Sequence, residues 1–200
     1  MTDDHRHPGA VRTLVLAGAA HAVLAAVIAI PVYWRLFQFW AVYDDEGYLT
    51  LSLRNFVDGG TLYHDVFTQY GPAYYEFWGA LVSVLGLDVT MNTGRLLVLA
   101  VWVLSSLLGG VAVSAFTRNV LVGLAAQIVL FSVLAGLTPA PMRPSGLIVL
   151  LLASFAAAAT VVVPRWGTAG AALLGAIAAT VALTKLNVGI FLLGGTALGL

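Results

Sequence analysis

The sequence predicts an all-α, polytopic membrane protein. It should have about six to seven transmembrane helices and an amphipathic interfacial helix in its first extracytoplasmic loop. Three observations predict this class. Of the 200 residues, 60% are hydrophobic and 9% are charged, against about 25% charged in an ordinary soluble domain, so lipid must be the solvent for most of the surface. Apolar runs approaching the roughly 20 residues needed to cross a hydrocarbon core recur along the chain. The acids are also segregated. Apart from Asp3 and Asp4, all lie between Asp44 and Asp88, and none occurs from residue 89 to residue 200.

Residues 1–12 read as a polar cytoplasmic tail and residues 13–200 as a transmembrane domain. Thr13–Trp34 is the first span. It is longer than the apolar core of a signal peptide and has no small-x-small cleavage site before Pro31. Tyr33, Trp34, Phe37, Phe39 and Trp40 form an interfacial aromatic belt. Residues 35–72 form the one long polar loop. Further apolar segments follow at Ala73–Leu87, Thr93–Phe116, Val120–Leu137, Gly146–Val163 and Thr168–Thr184. Asn187 opens a seventh segment that ends at Leu200, too short to span as a helix, so we expect a fragment. Arg6 and Arg12 place the N-terminus in the cytoplasm of a multi-pass protein of the inner or plasma membrane. Simple alternation then puts Arg95, Arg143 and Lys185 at cytoplasmic ends, with Arg35, Arg54, Arg118 and Arg165 outside. The zero net charge argues against a nucleic-acid partner. The absence of cysteine excludes disulfides and thiolate metal sites.

Within the loop, Glu46, Thr50, Arg54 and Asp58 recur every four residues, with Leu49, Leu53, Phe56 and Val57 opposite. That spacing predicts an amphipathic helix lying on the membrane, leucines towards the acyl chains and polar face in water. Gly59-Gly60 supplies its stop. Two readings of Asp44-Asp45-Glu46 compete. One acid suffices as a helix N-cap. Three together also make a carboxylate cluster able to deprotonate a hydroxyl or to hold a divalent cation such as Mg or Mn through Asp45 and Glu46. Downstream, Tyr70-Gly71-Pro72 reverses the chain, and Glu76 then stands near the start of a membrane segment, where a carboxylate is costly and marks a site.

These motifs carry a resemblance. Asp45-Glu46-Gly47-Tyr48, Asp58-Gly59-Gly60, Leu62-Tyr63-x-Asp65, Gln69-Tyr70-Gly71-Pro72, Gly86 and Arg95-Leu96 resemble, in order and spacing, the N-terminal region of the GT-C glycosyltransferases, nearest the PMT-like and RgtA/B/C/D-like bacterial enzymes. Lys185-Leu186-Asn187-Val188-Gly189 resembles a lysine-containing membrane segment of the same group. The resemblance implies a glycosyltransferase of the cell envelope that moves a hexose or pentose from a polyprenyl-phosphate sugar to a glycan, lipid or protein acceptor. It implies that Asp45, with Glu46 and Asp44 beside it, activates the acceptor hydroxyl. It further implies substrate contacts from Asp65, Tyr63 and Tyr70, to which Glu76 is added for its place at the membrane re-entry, and lipid-phosphate contacts from Arg95 and Lys185. Full members of the group have more spans, and many have a soluble C-terminal domain.

Other residues read more plainly. His21 in the first span is expected to hydrogen-bond a neighbouring helix, and Gln127 and Asn187 to act as interhelical glue. Arg143, in Met142-Arg143-Pro144-Ser145, suits either a lipid phosphate or a topology signal. Two other functions fit part of the pattern. A transporter or flippase would use intramembrane charges, of which only His21 and Lys185 stand well inside apolar segments. A non-catalytic membrane subunit would suit a fragment.

Overall fold

The computed structural model describes residues 8–38 and 45–199. Asp44, Phe39 and Trp40 lie outside the described residues. The described chain is helical: α1 (Pro8–Gln38), α2 (Asp45–Val57), α3 (Pro72–Leu85), α4 (Met91–Thr117), α5 (Val120–Ala135), α6 (Pro144–Ala157), a π-helical turn (Ala158–Val162), α7 (Val163–Thr184) and α8 (Leu186–Gly199). Three stretches are long and apolar enough to cross a membrane, namely Leu16–Gln38, Met91–Thr117 and Pro144–Thr184, and Val120–Ala135 and Leu186–Leu198 are shorter apolar helices.

The boundaries follow local chemistry. Thr90 caps α4 by accepting from the Thr93 amide, and Asn119 caps α5 by accepting from the Leu121 and Val122 amides. Pro72 and Pro144 sit in the first turns of α3 and α6, where a missing N–H is harmless. Gly59, at φ 101°, follows the end of α2 as expected, and Gly86, at φ 62°, ends α3 in a left-handed cap.

The stretch Pro144–Thr184 is 41 residues long and as a straight helix would span about 60 Å. Yet Pro144 and Lys185, at its two ends, line the same cavity. The chain therefore doubles back, and Gly167 makes the reversal with φ 47° and ψ −113°, a conformation that side chains rarely adopt. Gly170 packs so closely on Val163 that an added Cβ would come within 2.8 Å of the Val163 Cα. Pro164 lacks an N–H to continue the α ladder, and the turn before it is π-helical. The expected spans Gly146–Val163 and Thr168–Thr184 are thus the two arms of one helical hairpin. α4 is the central helix, packing on α1, α5 and α6.

Two expectations are corrected. Ala73–Leu87 does not pass through the bundle. Gly71, before α3, donates its amide to the Thr184 carbonyl at 3.1 Å. Val89, after α3, accepts from Arg54 of α2 at 2.6 Å. α2 is itself tied by Glu46 to Arg95 in the first turns of α4. Both ends of α3 therefore lie at the end of the bundle that carries the acidic loop, here called the loop end. Removing one crossing changes the alternation: Arg95, Arg143 and Lys185 belong to the loop end, while Arg118 and Arg165 share a cavity at the opposite end. The polar loop also starts later than residue 35, because α1 continues to Gln38.

The second correction concerns α2. Leu49 and Leu53 are buried, but not in lipid; they join Tyr74, Tyr75, Trp78 and Trp102 in the protein core. The polar face is divided: Glu46 and Thr50 are buried, while Arg54 and Asp58 are exposed. α2 is a two-sided packing element.

His21 behaves as expected of a buried polar group. The Gln127 amide nitrogen donates to the His21 carbonyl at 3.0 Å, so Gln127 Oε1 must accept from His21 Nδ1, 2.6 Å away. That fixes the Nδ1–H tautomer and leaves Nε2 to accept from the Ser114 hydroxyl at 2.9 Å. The network ties α1, α4 and α5 together.

The reversal at Gly167 is open to test. Gly167→Ala should lower stability by about 1–3 kcal/mol, the cost of forcing a side chain into such a backbone state, seen as a reduced unfolding midpoint in detergent; an unchanged midpoint would mean that the hairpin turns elsewhere.

Candidate functional site

The site is built from the first turn of α2. Glu46 is 2% exposed and Arg95 12% exposed. Arg95 donates through Nε to Oε1 at 2.7 Å and through Nη2 to Oε2 at 2.6 Å. This bidentate fork is the strong form of a charge-assisted pair, and it fixes where α2 begins. Asp45, one residue earlier, projects in another direction. Its Oδ2 accepts from Arg143 Nε at 3.0 Å and Nη2 at 2.6 Å. The two partners of this pair are half exposed, 52% and 51%. Among the described residues, no hydrogen bond engages Oδ1.

Arg143 is aimed by its context. The residue before a proline is held extended, and Arg143 has φ −60° and ψ 148° as the N-cap of α6. The Tyr74 hydroxyl donates to the Met142 carbonyl at 2.6 Å, which pins this turn to α3. Lys185 is aimed similarly. It is extended, at φ −155° and ψ 103°, between α7 and α8. The adjoining helices cross closely, because a Cβ at Gly189 would overlap Ala182. The Tyr70-Gly71-Pro72 turn docks on this break. A Cβ at Gly71 would overlap the Leu183 carbonyl, so only glycine allows the approach.

Asp45, Arg143, Lys185, Gln69, Tyr70 and Ser145 consequently line one cavity of about 300 Å³. A second cavity, of about 560 Å³, shares Gln69, Tyr70 and Lys185 and adds Tyr63 and Asn187. Among the described residues the Lys185 ammonium makes no hydrogen bond or ion pair, while its backbone amide donates to the Val181 carbonyl at 2.9 Å. The result is one carboxylate and two cations on a polar wall, with a larger chamber beside it. Such a wall can bind a phosphate on its cations while keeping a carboxylate oxygen nearby as a base.

The other residues singled out in the sequence fall in different places. Tyr63 and Tyr70 do reach the chamber, and the Tyr63 hydroxyl donates to the Tyr70 carbonyl at 3.1 Å. Arg95 is engaged with Glu46 and lines neither cavity. Asp65 is a staple of its own loop. Its Oδ2 accepts from the Thr61 amide at 2.9 Å and its Oδ1 pairs with His64 Nδ1 at 2.7 Å. The Thr61 amide first, and His64 second, hold its carboxyl below the usual 3.8. Glu76 is exposed on α3 and lines neither cavity. Asp44 lies outside the described residues. A divalent cation does not suit Asp45 and Glu46 as they stand, because each carboxylate faces a different guanidinium and, among the described residues, no three His, Asp or Glu side chains gather. Arg143 is the participant whose role the sequence left open. The signal was its place before a proline in a turn between two apolar segments.

The class that this fold defines is a helical membrane protein. Compared with known protein families, characterised proteins and solved structures, the chain finds no match.

Two predictions follow from the geometry. Glu46→Gln removes the charge that faces Arg95 in a buried pair and should cost about 3 kcal/mol, read as a lower unfolding midpoint; a midpoint equal to wild type would remove the pair from its structural role. For Asp65, whose folded value is depressed, the loop contribution is present above pH 3.8 and is lost as pH falls through the lowered value. Hydrogen exchange at Thr61 to Val66 should therefore accelerate below that pH in the wild type and already be fast at neutral pH in Asp65→Asn.

Proposed function

We propose that the chain is a membrane glycosyltransferase, or the part of one that holds its reacting groups, transferring a sugar from a polyprenyl-phosphate donor to an acceptor hydroxyl. The observation that carries this reading is the convergence of Asp45, Arg143 and Lys185 on one cavity at one end of an apolar helical bundle. In this reading the chain crosses the membrane five times, through α1, α4, α5 and the two arms of the Gly167 hairpin, and α8 enters the membrane from the loop end. The loop end faces outward.

The chemistry asks for little. The acceptor hydroxyl loses its proton to Asp45 as its oxygen bonds to the anomeric carbon. The bond from that carbon to the phosphate oxygen breaks, and the electron pair leaves with the phosphate. Arg143 and Lys185 offset the charge that develops there. Before donor binds, Arg143 holds Asp45 Oδ2. A donor phosphate competes for the same guanidinium and frees Asp45 Oδ2 for the acceptor hydroxyl. Tyr63, Tyr70, Gln69 and Asn187 line the adjoining chamber, a polar and aromatic wall of the kind that suits a sugar. Glu46 and Arg95 act as positioning residues.

The test uses the full-length gene product in proteoliposomes with a polyprenyl-phosphate sugar. Asp45→Asn should lower kcat by about 100-fold or more, the size of a lost general base, with donor KM little changed. Arg143→Gln and Lys185→Gln should raise donor KM. Turnover at the wild-type rate in correctly inserted Asp45→Asn protein would overturn the catalytic assignment.

A further inference from the structure

The end of the bundle opposite Asp45 holds a second cavity, of about 490 Å³, between α1, α4, the start of α5 and the bend of the hairpin. Two guanidiniums line it, those of Arg118 and Arg165. Arg118 is placed there by the α4–α5 joint, where its backbone is left-handed at φ 53°, a state uncommon outside glycine and worth a functional reading when it aims a charged group. Arg165 follows Pro164 beyond the π-helical turn, and donates to the Val161 carbonyl.

Among the described residues, the charge on this wall is unbalanced. No acid occurs from residue 89 to residue 200, and among the described residues neither arginine has a carboxylate partner. His21 and Ser114, also on the wall, are satisfied by each other and by Gln127, and the Ser114 hydroxyl proton is used on His21 Nε2. Among the described residues, two cations thus share a cavity whose wall carries no anion. Apart from Thr160, whose hydroxyl donates to the Ala156 carbonyl, the rest of the wall is apolar, with Ala17, Val111, Ala115 and Val161. Phe116 and Trp166 stand exposed next to it, 80% and 68%, as aromatic side chains do at a membrane interface. A soluble anion would gain from the arginines alone. An anionic phospholipid gains from both, with its phosphate on Arg118 and Arg165 and its glycerol and first methylenes on the apolar wall.

We propose that this cavity is a binding site for the phosphate headgroup of an anionic phospholipid, independent of the chemistry at the loop end. The full chain is purified, equilibrated with equal phosphatidylglycerol and phosphatidylcholine, and examined by native mass spectrometry. Wild type should retain phosphatidylglycerol preferentially. Arg118→Gln/Arg165→Gln should lower that retention about tenfold, Arg118→Lys/Arg165→Lys should restore much of it, and Arg35→Gln at the loop end should leave it unchanged. Equal retention by the double glutamine variant, or equal loss in Arg35→Gln, overturns the site. Displacement of the lipid by millimolar inorganic phosphate also overturns it, since the ligand would then be a free anion. Photoactivatable phosphatidylglycerol on the wild-type protein gives an answer that needs no variant to fold. Labelling of peptides holding residues 114–121 and 158–166 supports the site, and labelling confined to the loop end contradicts it.

Discussion

The buried fork between Glu46 and Arg95 is the contact on which the arrangement of the loop end rests. An apolar bundle gives a polar loop little to hold, because lipid-facing helices offer few hydrogen-bond partners. One bidentate ion pair, closed on both sides by packed helices, supplies an orientation as well as an energy. It ties the first turn of α2 to the first turns of α4. Since Asp45 and Glu46 are neighbours on a helix and about 100° apart around it, fixing Glu46 inward turns Asp45 towards Arg143. Burying a charge pair is a poor way to gain stability, and specifying direction is the better account of why it is here.

The second requirement is that distant parts of the chain return to the same end. The hairpin at Gly167 brings the break between α7 and α8 back to the level of α2, and the Tyr70-Gly71-Pro72 turn docks there through the Gly71 amide. α3 then lies across the loop end and clasps the Met142-Arg143 turn through Tyr74. Each of the three charged groups on the cavity sits on a different joint: the start of α2, the cap of α6 and the gap before α8. Joints are where a helical protein frees side chains from the barrel-like packing of its core, and where ionisable groups at a bundle end are tolerated.

Much of this was legible in the sequence, and the failures have identifiable causes. Helices α4, α5 and α8 and the stop at Gly59-Gly60 follow from apolar runs and caps, which are local signals. His21 and Gln127 were recognisable as interhelical glue because a polar side chain in an apolar run must find a partner. α3 was misread because its composition, apolar over Ala73–Leu87, is that of a span; only the tertiary contacts of its two ends reveal that it stays at one end. With α3 at one end, Arg95, Arg143 and Lys185 fall at the loop end and Arg118 and Arg165 at the other. Asp45 and Lys185 stand out by motif, but Asp65, in a motif of the same series, and Glu76, marked by its place at a membrane re-entry, lie away from the cavity. Adjacency in sequence does not tell a staple from a ligand. The role of Arg143 stays open in the sequence because its partner lies 98 residues away, a separation no spacing rule can reach.

The central claim is that the bundle brings Asp45, Arg143 and Lys185 to one cavity at the loop end. The chain has no cysteine, so paired cysteines can be introduced on a silent background and tested in native membranes with a short bifunctional maleimide. The account predicts efficient intramolecular cross-linking for Asp45→Cys with Arg143→Cys and for Asp45→Cys with Lys185→Cys, and none for Asp45→Cys with Arg165→Cys. Cross-linking of the Arg165 pair, or its absence from both of the others, would contradict it.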